Sequence, residues 1–191
     1  MLKSLFTVCL FATLFCLVTS NATSQQRVHA VSGTVTSINS KIGMIEIDTD
    51  DGSSGHFELL KKAGESVEFD KTVSADATPA DKFMTKGAHV IVYYFGEGQV
   101  RTVIALHDLG DGTIEKSSGT VVKLNRHDHV LTIKSSAGAE ETFRVDPKTV
   151  ADTPTGVAEG LKFDLNKGDS VRVTSAQANG SDTALLIAPM M

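Results

Sequence analysis

The chain has 191 residues, 41% of them hydrophobic, and a formal net charge of −5. That apolar fraction excludes a chain that stays unfolded for want of a core. The acidic balance, with no basic block, argues against nucleic acid or an anionic membrane surface as the main partner.

The chain opens on Lys3 and an apolar run from Leu5 to Val18. The run has the length of a signal-peptide core and falls short of the ~20 residues that a spanning helix needs. Small residues at Ser20 and Ala22 put a cleavage point there, so residues 1–22 are expected to be a signal peptide. The mature protein is then exported, to the periplasm or beyond the cell, with no membrane-spanning segment left. Both cysteines, Cys9 and Cys16, fall inside this segment, and Phe15 and Thr13 stand where a lipoprotein acceptor site needs a small residue and a leucine. The mature chain is therefore expected to be stabilised by burial alone, without disulfides or thiolate metal sites.

From residue 28 onward the chain repeats itself. Ser32-Gly33-Thr34-Val35 recurs as Ser118-Gly119-Thr120-Val121, Ile45 and Ile47 match Leu131 and Ile133, and Phe57 matches Phe143. After a small shift, Lys86-Gly87 with Val90 and Val92 matches Lys167-Gly168 with Val171 and Val173, and 103–106 match 184–187. The length difference falls between Leu60 and Phe83, as a loop tolerates. Period-two alternation predicts strands at 31–38, 44–49, 55–60, 89–95 and 100–107, and again at 118–124, 130–134, 140–145, 170–174 and 183–187. Gly52 and Gly138 supply the positive φ of hairpin turns. Thr78-Pro79-Ala80-Asp81 offers an N-cap, a first-turn proline and an early acid for a short helix. The glycine-rich segment 109–114 reads as a linker between a first domain at 28–108 and a second at 115–188.

Three strands, a connection with a short helical piece, then two strands is the order of an OB-type five-stranded barrel. The expected fold class is therefore all-β, with at most one short helix per domain: two tandem five-stranded OB-like barrels. The pattern of Gly-Thr-Val, an isoleucine strand, a glycine turn, Phe57 or Phe143, and Lys-Gly-x-x-Val-x-Val resembles a family of uncharacterised OB-like domains of secreted bacterial proteins. The second copy, with Lys167-Gly168-Asp169-Ser170-Val171, fits it better than the first, where Ala88-His89 replace Asp169-Ser170. The resemblance implies a fold and an exported setting, and no activity. A fainter resemblance, to periplasmic OB-fold stress proteins, rests on fold and export.

Three features stand apart from this frame. Val171 and Val173 alternate with Arg172 and Thr174, the pattern of a strand with one face in water, whereas Val90, Val92 and Tyr94 alternate with Ile91, Tyr93 and Phe95. An apolar outer strip is usually covered, so Ile91, Tyr93 and Phe95 are expected to form either an interface or a ligand surface of the aromatic kind that OB barrels use. His127-Asp128-His129 places two imidazoles together, but in a turn and with too few ligands for a tight metal site. Asp48, Asp50 and Asp51 lack the calcium-loop spacing and read as a solvated hairpin tip.

No nucleophile elbow, phosphate loop, zinc-protease helix or paired-cysteine motif occurs, so no catalytic residue, metal site or cofactor is assigned and an enzyme is not expected. The function that follows is a non-catalytic exported binding or scaffold protein of the cell envelope or extracellular space, its ligand or protein partner unknown and nucleic acid not expected. The alternatives are a copper- or zinc-handling envelope protein and a module that binds oligosaccharide or nucleic acid through a barrel face.

Overall fold

The repeated apolar pairs sort into two interiors. In a computed structural model that describes residues 26–53, 55–60, 71–98, 100–178 and 180–190, Val35, Ile45, Ile47, Phe57, Val90 and Val92 share one buried cluster. Their counterparts Val121, Leu131, Ile133, Phe143, Val171 and Val173 share another. The expected signal peptide at 1–22 and part of the long connection, 61–70, lie outside the described residues.

The fold is all-β. The first half contains β1 (His29–Asn39), β2 (Met44–Thr49), β3 (His56–Leu59), a one-turn α1 (Lys71–Ser74), a two-residue β4 (Thr78–Pro79), β5 (His89–Glu97) and β6 (Val100–Asp108). The second contains β7 (Ile114–Asn125), β8 (Val130–Ser135), β9 (Glu140–Arg144), β10 (Val150–Thr153), β11 (Gly156–Glu159), β12 (Ser170–Ala178) and β13 (Ser181–Pro189). In the first sheet β3-β2-β1-β5-β6 run side by side, and a parallel pairing of β3 with β6, Leu59 opposite Val103, closes the ring. In the second, β9-β8-β7-β12-β13 do the same, and β9 meets β13 in parallel at Arg144 and Thr183. Each half is thus a five-stranded barrel with its ring closed, which hides strand edges that would otherwise template aggregation.

The duplication extends to the irregularities. Register shifts fall between Val35 and Ser37 on β1 and between Val121 and Lys123 on β7. The pairings of β5 with β6 and of β12 with β13 likewise skip Ile104 and Leu185, at matching places. Such bulges bend a strand around a small barrel. They also explain why Val103 and Leu106, three apart, both face the first interior, leaving Ile104 and Ala105 to a different cluster. The repeated glycine of Ser-Gly-Thr-Val has its own cause: a Cβ on Gly33 would lie 2.5 Å from the Asp48 carbonyl oxygen, and one on Gly119 2.4 Å from that of Lys134. Only glycine lets the first two strands of each barrel approach this closely.

The connection between the third and fourth strands of each barrel departs from expectation. Thr78 was expected to cap a helix, but Thr78–Pro79 lies extended beside Leu106 and Ala105, and Ala80–Lys82 form a single 3-10 turn without a side-chain cap. In the second half this connection is the ribbon β10–β11, not foreseen as strands, in which β10 lies parallel to β13 at Leu186 and Ile187, further along the edge that β9 meets at Thr183. A 3-10 turn, Gly160–Lys162, follows it. After each turn comes a buried phenylalanine, Phe83 or Phe163, that plugs its barrel. Among the described residues no helix is long and apolar enough to cross a membrane.

Candidate functional site

The outer face of β5 decides how the two barrels meet. Ile91 and Tyr93 are 1% and 0% exposed, although they point away from the first interior. They join Val28, Ala30, Val73, Ile104 and Ala105 of the first half with Val150 and Leu186 of the second, forming a third apolar cluster between the barrels. Phe95 is half-buried at its margin. The Tyr93 hydroxyl donates to the Val73 carbonyl oxygen at 3.1 Å, which satisfies the one polar atom of a ring sealed from water. Burial also pushes its hydroxyl pKa up. With Tyr93 covered, no open aromatic platform for a flat ligand remains at Ile91 and Tyr93, and the surface that covers them belongs to this same chain.

Polar groups frame that apolar centre. Val157 donates its backbone N–H to the Val28 carbonyl oxygen at 2.8 Å, tying the β10–β11 ribbon to the start of β1. His29 Nδ1 lies 3.0 Å from Asp152 Oδ1, and this hydrogen bond raises the histidine pKa. The Ser32 and Thr174 hydroxyls meet at 2.7 Å. Asp76 and Lys148 form an exposed ion pair at 2.7 Å.

Asp50 requires a correction. Expected at a solvated hairpin tip, its side chain is 2% exposed and accepts from His89 Nε2 at 3.0 Å and from the Lys116 ammonium of the second barrel. Burial alone pushes its carboxyl pKa up, but hydrogen bonds from His89, Lys116 and Ser32 outweigh it and hold the value down at about 2. Because an ionised carboxylate only accepts, Nε2–H of His89 is the donor. Nδ1 of His89 lies 3.2 Å from the Thr34 hydroxyl. Nothing local in the sequence marks Asp50, since Lys116 is remote along the chain. Asp51, one residue on, is exposed as expected.

The depressed Asp50 pKa makes stability pH-dependent. The ionised carboxyl contributes its full stabilisation above its unfolded value near 3.8, and the contribution is lost as pH falls from there through about 2. Asp50→Asn is expected to cost about 2 kcal/mol at neutral pH and to flatten the acid limb. Urea unfolding of both forms between pH 5 and about 2 measures this; parallel limbs would contradict it.

Beside the apolar cluster lies a cleft of about 190 Å³ between the barrels, walled by Ile91 and Leu109 on one side and Ala184 and Leu185 on the other. His107, paired with Ile91 across the β5–β6 ladder, also lines it, and the Asp76–Lys148 pair and Asp146 stand among its polar residues. His107 Nδ1 is buried with no hydrogen-bond partner, and burial lowers the imidazole pKa. Asp146 caps the turn before β10, accepting at Oδ1 from the backbone N–H groups of Lys148 and Thr149.

The other singled-out histidines, His127 and His129, fall in the β7–β8 turn, where Asn125 Oδ1 accepts from the N–H groups of His127 and Asp128. They line a shallow depression at the end of the second barrel with Arg144 and Ser181. Among the described residues, no group of three or more His, Cys, Asp or Glu side chains is placed to hold a metal ion.

A second buried charge escaped notice in the sequence. Arg101 is 6% exposed, with its guanidinium carbon 4.2 Å from the centre of the Phe57 ring and 5.4 Å from that of Tyr94. Its Nη1 donates to the Ser53 hydroxyl at 3.1 Å. Stacking on two rings offsets part of the cost of desolvating this cation.

Fold and seam together define an all-β protein of two closed barrels joined through an apolar face. No known protein-family model matches the chain, and no curated protein matches it.

Proposed function

We propose that this is a non-catalytic, exported binding protein in which two barrels of OB type act as one rigid body. The observation that carries it is the burial of Ile91 and Tyr93 against Val150 and Leu186, framed by contacts that cross the seam at Asp50, His29, Ser32 and Asp76. A tandem of independent modules has no use for an apolar outer face on one copy only. The strand order around each ring, first-second-third-fifth-fourth, supports the reading of each barrel as of OB type. The carboxylate with the largest depression, Asp50, is buried and bound to its partners, so it supports the seam instead of facing a substrate.

Nitrogen-15 relaxation on the mature chain tests the rigid body. Both halves are expected to tumble with one correlation time, that of the whole protein, and mass spectrometry of the exported form is expected to find an N-terminus near Asn21 or Thr23. Faster, separate tumbling of the two halves would overturn the single-body proposal.

A further inference from the structure

The geometry points to the depression at the β7–β8 turn of the second barrel as a binding site for a sugar acid, a ring of hexuronate size that carries a carboxylate and several hydroxyls. This inference deepens the binding-protein reading, on which it rests, by naming a ligand class. The depression holds about 390 Å³, within the ~300–1,000 Å³ of small-molecule sites. Arg144 supplies the charge. It leaves β9 on the outer face, since its neighbours Phe143 and Val145 fill the interior, and it stands opposite Val130 in the ladder. Among the described residues no carboxylate pairs with Arg144, whereas Arg126 of the adjoining turn is tied to Asp164 and to the carbonyl oxygens of Leu161 and Phe163. A guanidinium fork fits a carboxylate through two parallel N–H donors.

The rest of the lining suits hydroxyls better than a hydrocarbon body. His127, Asp128 and Thr142 are exposed, and among the described lining residues Val130 alone is apolar. A neutral imidazole carries one donor and one acceptor, the same pair that a hydroxyl carries. Asp128 accepts from the Asn125 amide through Oδ2, which leaves Oδ1 for a ligand hydroxyl. Because Arg144 comes from a strand and Asp128 from a turn, a ligand with an acidic end and a hydroxylated end matches both. His129 stands out against its counterpart in the first barrel. Val145 donates its N–H to the His129 carbonyl oxygen as Leu59 does to that of Gly43, so the two residues hold the same place. Gly43 has φ 68° and His129 φ 59°, the only positive φ outside glycine among the described residues. A side chain in that conformation costs stability that glycine does not. At the place of Arg144 the first barrel has Glu58, opposite Met44. The second barrel thus brings a strained imidazole and a guanidinium to one depression, and the first barrel folds without either.

The test is a titration of the full mature chain, followed by amide NMR, with glucuronate, glucose, cyclohexanecarboxylate and inorganic phosphate as probes. Glucuronate is expected to shift the amides of His129, Thr142 and Arg144 at millimolar concentration. Glucose lacks the carboxylate, cyclohexanecarboxylate the hydroxyls and phosphate the ring, so each is expected to bind about tenfold more weakly. Arg144→Gln, a change at an exposed side chain, is expected to weaken glucuronate binding by at least about tenfold, the loss of charge-assisted hydrogen bonds. His129→Gly restores the residue of the first barrel, so it is expected to weaken binding about fivefold, the loss of one hydrogen bond, without lowering the melting temperature. Unchanged affinity in either variant, binding of any other probe as tight as that of glucuronate, or no shift with any probe would overturn the proposal. Separate tumbling of the two halves would instead sink the rigid body and leave this site standing, because its walls all belong to the second barrel.

Discussion

Tyr93→Ser is expected to destabilise the protein by about 3–5 kcal/mol, the cost of removing a fully buried aromatic ring. Tyr93 is 0% exposed, and its ring fills the space between Val73, Ile91 and the second barrel. Serine leaves most of that volume empty, and its short hydroxyl cannot reach the Val73 carbonyl oxygen that the tyrosine hydroxyl satisfies at 3.1 Å. The cost thus has a cavity part and an unpaired-acceptor part. Tyr93→Phe separates them, because it retains the ring and loses only the hydrogen bond, for about 1 kcal/mol. Phe95→Ser is expected to cost less than Tyr93→Ser, since Phe95 is only half-buried. Urea unfolding of the three variants measures the series. A Tyr93→Ser cost below that of Phe95→Ser would show that the seam is not closed over the middle of β5.

The second large effect is expected at the repeated glycines. Alanine at Gly119 places a Cβ 2.4 Å from the Lys134 carbonyl oxygen and 2.8 Å from its carbonyl carbon, and at Gly33 the Asp48 oxygen lies at 2.5 Å with Thr49 Cα at 2.9 Å. These neighbours are backbone held in the β7–β8 and β1–β2 ladders, with Gly119 opposite Ser135 and Gly33 opposite Thr49. A flexible side chain could swing aside, but a ladder can only spread. Each substitution is therefore expected to cost about 3 kcal/mol, at the upper end of overpacking. The two barrels share this geometry, so the two costs are expected to be similar. Thermal unfolding of Gly33→Ala and Gly119→Ala checks both. Wild-type stability in either would mean that the first two strands are not so closely paired.

The glycines also show what kind of information a single chain displays. The Ser-Gly-Thr-Val repeat was visible as a repeat, while the reason for its glycine was not, because the colliding carbonyl belongs to the neighbouring strand. The core residues Val35, Ile47, Val92 and their counterparts were legible twice over, from period-two alternation and from the match between copies. The connections were less legible. Thr153-Pro154-Thr155-Gly156 turns a short ribbon whose strands have only four residues each, too brief for alternation to show. Thr78 looked like a cap since capping residues and strand residues overlap, and its pairing with Leu106 settled the matter.

The seam was half visible. An apolar outer strip at Ile91, Tyr93 and Phe95 announced that something covers it, without saying what. Asp50 stood in a run of acids at a turn and looked solvated, as its neighbour Asp51 is. The difference between the two aspartates lies in His89, which reaches Asp50 once the first barrel has closed, and in Lys116, which reaches it only when the second barrel docks. His107 likewise lines a cleft whose opposite wall is Leu185.

The sequence by itself determined the all-β class, the duplication and the membership of two interiors, because alternation and turn chemistry act between residues near in the chain. Only the tertiary structure decided which outer face the second barrel covers, which aspartate is buried and where the cleft opens. Those outcomes depend on contacts between segments far apart in the chain, and side-chain pattern along one strand carries no record of them.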